Sequence, residues 1–105
     1  MSAWWSIALV HVVPMIILTG ALDDWTPATY CDALVAQAMI RHEPAFIRVY
    51  PSAHHSFDNL RISATHLRDV LNPHSPTGRG ATVGGNRPAR DAARFDLLAF
   101  LRTYL

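Results

Sequence analysis

The feature that most constrains this sequence is a strand, a helix and a second strand that follow one another between residues 15 and 50. Residues 15–19 form a continuous apolar run that ends at Gly20, which is typical of a fully buried strand in a parallel sheet. A second β-rich run covers residues 45–50 and ends at a Pro-Ser turn. This span of about 36 residues has the length of a βαβ unit, so the two strands should be parallel.

The segment between the two runs has the signals of a helix. Thr26 is the expected N-cap, and Pro27 occupies the first helical position. The helix should end near His42, because Pro44 disfavours helical geometry at the residue before it. Five apolar side chains recur at helical spacing: Tyr30, Leu34, Val35, Ala38 and Met39.

Side chains that can do chemistry follow both strands. Asp23 and Asp24 come after the first strand, and His54 and His55 come after the second. The carboxyl ends of parallel strands meet at one edge of a sheet, and neighbouring strands lie roughly 5 Å apart, so a carboxylate should reach an imidazole there. Imidazole titrates near neutral pH, so a histidine at this edge is a candidate general base.

Composition limits the class of protein. The chain has 105 residues, enough for one small domain, and half of them are apolar. The formal charge is +1, and all nine basic residues are arginines spread along the chain after residue 40, so no nucleic-acid partner is expected. Cys31 is the single cysteine and has no internal partner for a disulfide, which fits a reducing, cytoplasmic location.

Residues 3 to 22 are apolar enough to be tested as a membrane span, for which about 20 residues suffice. Ser6, His11, Pro14 and Thr19 interrupt the run, and no Lys or Arg flanks its start. We therefore expect a buried element of a soluble fold, with residues 4–13 as a strand or a short buried helix. An amino-terminal membrane anchor is kept as an alternative.

The second half of the chain is less regular. Between residues 59 and 87 a short helix is possible, and the prolines and glycines that follow residue 72 predict a long loop, usually a lid or binding element. A terminal helix is expected from about Pro88 to Tyr104. Its broad apolar face should consist of Ala92, Phe95, Leu98, Ala99, Leu101 and Leu105.

Two motifs resemble a known family. Residues 20–27 read Gly-Ala-Leu-Asp-Asp-Trp-Thr-Pro, and residues 50–59 read Tyr-Pro-Ser-Ala-His-His-Ser-Phe-Asp-Asn. In this order and spacing they resemble the carboxyl-terminal part of the dienelactone hydrolase family of α/β-hydrolases. The resemblance runs from Pro14 to the end, including residues 72–84 and the last helix, whereas residues 1–13 are divergent.

The resemblance implies a fold, an activity and two site residues. The fold would be a partial α/β-hydrolase domain with parallel strands, a crossover helix, a long loop and a carboxyl-terminal helix. The activity would be hydrolysis of a small ester or lactone through an acyl-enzyme intermediate, without metal or other cofactor. Asp23 matches the triad acid and His55 the triad base; Asp24 and His54 are the neighbouring alternatives.

The sequence departs from the family at the nucleophile. An α/β-hydrolase carries it on a Gly-x-Ser-x-Gly or Gly-x-Cys-x-Gly elbow that precedes the acid and the base, and nothing upstream of Asp23 has this form. Residues 80–84 match the outline with Thr82 but follow the base, Cys31 lies inside the predicted helix, and Ser2 and Ser6 lack flanking glycines. We therefore expect a fragment that is inactive alone.

Three further expectations follow from the same sequence. The fragment should associate with a missing amino-terminal hydrolase half or with a copy of itself, because two parallel strands leave both sheet edges open. A metal site formed by His54, His55 and Asp58 is disfavoured, since adjacent ligands without a second cluster are a poor zinc signature. A small interaction protein without catalytic activity is the alternative to a hydrolase.

Overall fold

The structure is a computed structural model of the chain, and it describes residues 13–105. The fold is of mixed α/β type, with helices and strands along the described part of the chain. In order, the elements are β1 (Met15–Gly20), α1 (Ala28–Ile40), β2 (Ala45–Tyr50), β3 (Thr65–Leu71), β4 (Arg79–Val83) and α2 (Arg87–Tyr104). The expectation of a strand or helix over residues 4–13 falls almost entirely outside the described residues.

The predicted βαβ unit is confirmed. Strands β1 and β2 are parallel, in a register that pairs Met15 with Ala45 and Gly20 with Tyr50. The prediction that β1 is fully buried is wrong for most of its length, since residues 15–18 are only half-buried. The physical reason is that β1 pairs with β2 alone in the described part of the chain, which leaves its other edge without a neighbouring strand.

The two long helices cover opposite faces of this two-stranded sheet. Helix α1 packs Val35 and Ala38 against Ala45, with Met15, Ile17 and Ile47 at the margin. Helix α2 packs Ala89 and Ala93 against Tyr50, Ala53 and Phe57, with Leu18 at the margin. Alternate residues of a strand point to opposite faces, so β1 contributes its odd-numbered residues to one cluster and Leu18 to the other.

The prediction for residues 59–87 is wrong in two places. Residues 65–71 form strand β3 and not a short helix, and β4 forms inside the predicted loop. The two strands pair antiparallel, with Thr65 opposite Val83 and Leu71 opposite Arg79. Tertiary pairing thus overrides a weak local helix pattern. Pro73, Pro76 and Gly78 lie in the turn between the strands, whereas Gly80 lies within β4 and Gly84 and Gly85 follow it.

Helix α2 has nearly the predicted bounds but buries a different face. Its N-cap is Asn86, whose side chain accepts a hydrogen bond from the Ala89 N–H at 3.0 Å. The buried positions are Ala89 and Ala93, whereas Phe95, placed in the predicted apolar face, is 72% exposed. Small side chains thus form the buried positions, Phe100 and Leu101 are half-buried, and Phe95, Leu97 and Leu98 stay exposed.

Of the apolar run from residue 3 to 22, only residues 13–22 fall within the described part of the chain. Within residues 13–105, no helix combines the length and the hydropathy that crossing a bilayer requires. The run from residue 3 to 22 is not one continuous element, because residues 15–20 form β1.

Candidate active site

Two loops meet at the carboxyl ends of β1 and β2. The Ala21 N–H donates to the Tyr50 carbonyl and the Leu22 N–H to the Ala53 carbonyl, both at 2.9 Å. Gly20 lies so close to the second loop that a Cβ at this position would be 2.2 Å from the Ala53 carbonyl oxygen. Only glycine permits this approach, and the approach sets the distance between the side chains that follow.

The loops bring Asp23 and His55 into direct contact. Nδ1 of His55 lies 3.1 Å from Oδ2 and 3.3 Å from Oδ1 of Asp23. The Asp23 side chain is 8% exposed and the His55 side chain 31% exposed. A buried carboxylate on Nδ1 holds the imidazole in the tautomer whose Nε2 is free to accept a proton.

The Asp23 carboxylate is held by its own loop. Oδ1 accepts hydrogen bonds from the backbone N–H groups of Trp25 at 3.0 Å and Thr26 at 2.8 Å, and Oδ2 accepts one from the Thr26 hydroxyl at 2.9 Å. An aspartate that caps the following backbone amides forms a rigid local turn. The turn therefore orients the carboxylate through contacts that do not involve the histidine.

Thr26 belongs to the site and not to the helix end. The prediction that it is the N-cap of α1 is wrong, because Pro27 occupies that position without a side-chain cap. Its hydroxyl oxygen is instead within 3.3 Å of Nδ1 of His55 as well as bonded to Asp23. Sequence reasoning missed this role, although an aspartate three residues before a threonine was a usable signal.

Asp24, the alternative acid, has a structural partner elsewhere. Its Oδ1 accepts a hydrogen bond from the Thr82 N–H of β4 at 2.9 Å. The side-chain amide of Asn72, which is 1% exposed, donates to the Asp24 carbonyl at 2.8 Å and to the Gly80 carbonyl at 2.7 Å. Asp24 therefore ties the acid loop to the β3/β4 hairpin, and no contact joins it to a histidine within residues 13–105.

His54, the alternative base, makes no side-chain hydrogen bond to Asp23 or Asp24. Its Nδ1 is buried and has no hydrogen-bond partner among the described residues.

Trp25 packs beside His55, and the centroid of its ring lies 5.0 Å from that of the imidazole. The Trp25 indole N–H donates to the Leu71 carbonyl at 3.0 Å, so the β3/β4 hairpin also orients this ring.

A cleft of about 730 Å³ opens beside the pair. It runs along β1 and between the two long helices, and its walls include Ile17, Leu18, Cys31, Ala93 and Leu97. Asp23 and His55 are also among its lining residues. The volume falls in the range of small-molecule sites.

The structure does not support Cys31 or Thr82 as the nucleophile. Burial, followed by the charges of Asp23 and Asp32, raises the pKa of the Cys31 thiol above its ordinary value, so less of the reactive thiolate is present. Thr82 lies within β4 and its hydroxyl is 3.1 Å from Nδ1 of His66, so it is not on a nucleophile elbow.

Among residues 13–105, no cluster of three or more His, Cys, Asp or Glu has the arrangement of a metal site.

No family model, curated protein or solved structure matches this chain. The resemblance to dienelactone hydrolases therefore rests on the two motifs.

Proposed function

We propose that this chain supplies the acid and the base of a hydrolase of the dienelactone hydrolase type. The observation that supports this most is the contact of the buried Asp23 carboxylate with Nδ1 of His55 at 3.1 Å. The cleft beside this pair has room for a small ester or lactone.

The proposed reaction uses both nitrogens of one imidazole. Nε2 of His55 removes the proton from a serine or cysteine nucleophile as that atom bonds to the carbonyl carbon of the ester or lactone. Asp23 stabilises the imidazolium that forms, and Nε2 then returns the proton to the leaving alkoxide as the ester C–O bond breaks. Water, deprotonated by the same nitrogen, releases the acyl group and regenerates the nucleophile.

The proposal requires a nucleophile other than the side chains that residues 13–105 place at the site. Neither Cys31 nor Thr82 has the required geometry, and the elbow that carries this group also supplies an oxyanion-hole amide. The chain by itself should therefore hydrolyse esters little faster than free imidazole does.

The experiment measures hydrolysis of p-nitrophenyl acetate and a small lactone by the full chain, alone and with a separately produced amino-terminal half of a dienelactone hydrolase. We expect activity only in the mixture, and its loss on His55→Ala. His54→Ala is the matched control and should retain most of the activity. Hydrolysis by the isolated chain that survives His55→Ala would rule out the mechanism, and an inactive mixture would count heavily against it.

A second candidate function is a small interaction protein without catalytic activity. Its support is the unusual exposure of large apolar side chains, among them Met39 at 62%, Ile40 at 78% and Leu71 at 70%. Under this function the chain would bind its partner equally well with Asp23→Asn and His55→Ala. A pull-down that compares these variants with the unmodified chain separates the two functions.

A further inference from the structure

The side of helix α2 that faces away from the sheet presents large apolar side chains to solvent. Ala89 and Ala93 face the sheet, and among the described helices and strands α2 contacts only β1 and β2. Phe95 and Leu98 lie on the other side of the helix, where residues three apart are neighbours. Phe95 is 72% exposed, so this part of the helix has an apolar surface available for contact with another molecule.

A charged residue lies at each end of this apolar pair. Asp91 precedes Phe95 by four residues and Arg102 follows Leu98 by four, and both charged side chains are exposed. Within residues 13–105, neither of them forms a salt bridge. The spacing of four, three and four residues is that of the a and d positions of a coiled coil, which share one side of a helix. These four residues are called the α2 stripe below.

The α2 stripe is complementary to itself. Asp91 and Arg102 lie at equal distances along the helix from the midpoint between residues 96 and 97, and so do Phe95 and Leu98. A second copy that packs antiparallel about a two-fold axis at this midpoint places each Phe95 opposite a Leu98 and each Asp91 opposite an Arg102. A parallel arrangement would instead bring like charges together at both ends of the stripe.

The residues around the stripe fit the same arrangement. Pro88 and Leu105 extend the pattern by three residues at either end, and the antiparallel pairing places them opposite each other. Leu105 is 95% exposed. Ala92 and Ala99 follow Asp91 and Leu98 on one flank, and their small side chains leave room for a second helix to approach.

We propose that the α2 stripe is a dimerisation surface, occupied by the same stripe of a second copy of this chain in antiparallel orientation. The apolar centre supplies the contact, and the two pairs of Asp91 with Arg102 select the orientation. One pair of helices buries less surface than a standard interface of roughly 1,600 Å², so the dimer should dissociate in the micromolar range. The inference is independent of the proposed function, because no residue of the stripe lines the cleft beside Asp23 and His55.

Sedimentation equilibrium of the full chain measures the dissociation constant, and a charge-swap cycle tests the orientation. Asp91→Arg places arginines opposite each other and Arg102→Asp places aspartates opposite each other, so each variant should weaken the dimer at least tenfold. The double variant D91R/R102D restores both pairs and should dimerise within about threefold of the unmodified chain. A monomer at every concentration, or a double variant as weak as the single ones, would overturn the proposal.

The double variant also separates dimerisation from helix stability. An acidic residue near the start of a helix and a basic residue near its end are favourable placements, and each swap removes one of them. The double variant lacks both, so recovery of its dimerisation cannot come from a more stable helix. Far-UV circular dichroism checks that all the variants fold.

Two alanine variants provide the matched comparison for the apolar centre. Phe95→Ala removes the most exposed apolar side chain of the stripe, and Ile40→Ala removes one of similar exposure, 78%, at the end of α1. Phe95→Ala should weaken the dimer at least tenfold, and Ile40→Ala should leave it within about twofold. Equal weakening by the two variants would show association without a specific surface and would overturn the proposal.

Discussion

At the scale of single residues, the Asp23 carboxylate is held by several hydrogen bonds. Two backbone amides, the Thr26 hydroxyl and the His55 ring all contact its two oxygens. The adjacent Asp24 differs in its partner and not in its chemistry, since its oxygen accepts from a strand amide. The two adjacent aspartates therefore have different structural roles, and replacing each by asparagine gives a matched pair of variants.

Asp23→Asn should lower kcat of the combined halves by about 10⁴, the scale found when the orienting acid of a triad becomes an amide. The physical reason is that the asparagine cannot hold the same imidazole tautomer or stabilise the imidazolium. Asp24→Asn should keep kcat within about tenfold and cost about 1 kcal/mol of stability, since it weakens one hydrogen bond to Thr82. Equal losses of kcat for both variants would contradict these assignments.

Cys31 provides a prediction on pH. Burial raises the pKa of its thiol, so its rate of alkylation by iodoacetamide in the folded chain should rise with pH at a midpoint above that of the chain unfolded in urea. At pH 8.5 the folded chain should react more slowly than the unfolded one. A folded midpoint below the unfolded one would indicate an activated nucleophile at this position.

At the scale of elements, the site depends on how the β1 loop packs on its two neighbours, the loop after β2 and the β3/β4 hairpin. Gly20 sets the first contact through its close approach to the Ala53 carbonyl. Asn72 sets the second through two hydrogen bonds from one buried amide. Gly20 lines the cleft and Asn72 is not among its lining residues, yet both help to determine where Asp23 lies.

Gly20→Ala should destabilise the fold by about 1–3 kcal/mol, the usual cost of forcing atoms into a packed region. The added Cβ would be 2.2 Å from the Ala53 oxygen, so the two loops must separate. Gly78→Ala is the comparison, because Gly78 has a positive φ of 76° but open space around it, and its cost should be about 1 kcal/mol. Urea denaturation measures both; a smaller loss at residue 20 than at residue 78 would contradict the close contact.

Asn72→Asp should cost about 2–4 kcal/mol. The carboxylate keeps the shape of the amide but cannot donate to the Asp24 and Gly80 carbonyls, which are then left without their partner. Asn59→Asp is a matched control with an expected change below about 0.5 kcal/mol, because the Asn59 side chain accepts a hydrogen bond from the Arg61 N–H and the aspartate can do the same. Similar losses for both variants would show that the Asn72 bridge is not a stabilising contact.

At the scale of the whole molecule, the chain is extended for its size. Its radius of gyration is 17.0 Å, compared with about 12–13 Å for a compact domain of this length. Its accessible surface is 7457 Å², whereas a folded monomer of 11.7 kDa exposes about 5,900 Å². Large apolar side chains such as Ile40 and Phe95 contribute to the excess. In the described part of the chain, the exposed large apolar side chains of the two long helices include Met39, Ile40 and Phe95.

The isolated chain should therefore be weakly stable. We expect a free energy of unfolding below about 5 kcal/mol, the lower end for single domains, measured by urea denaturation and far-UV circular dichroism. Addition of the amino-terminal hydrolase half should raise the midpoint, because a partner that binds only the folded state stabilises it. A high midpoint for the chain alone that the partner leaves unchanged would contradict an incomplete fold.

The local pattern predicted the βαβ unit and the terminal helix because each depends on signals within a short segment. The apolar run of residues 15–19, the helix start at Pro27 and the β-rich run of residues 45–50 are sufficient to predict β1, α1 and β2. The same reasoning failed for β3 and β4, since an antiparallel pair is stabilised by a partner strand and not by its own sequence. The buried face of α2 also depended on which alanines could approach the sheet.

For the site, the sequence alone determined that carboxylates and imidazoles follow two parallel strands and so share one sheet edge. Only the tertiary structure decided which of them meet. Asp23 contacts His55, Asp24 accepts a hydrogen bond from β4, and Nδ1 of His54 has no hydrogen-bond partner among the described residues. The physical reason is that the order of β1, α1 and β2 along the chain follows from local sequence patterns. The orientation of a side chain in a loop instead depends on hydrogen bonds to residues distant in sequence, such as Thr82 and Asn72.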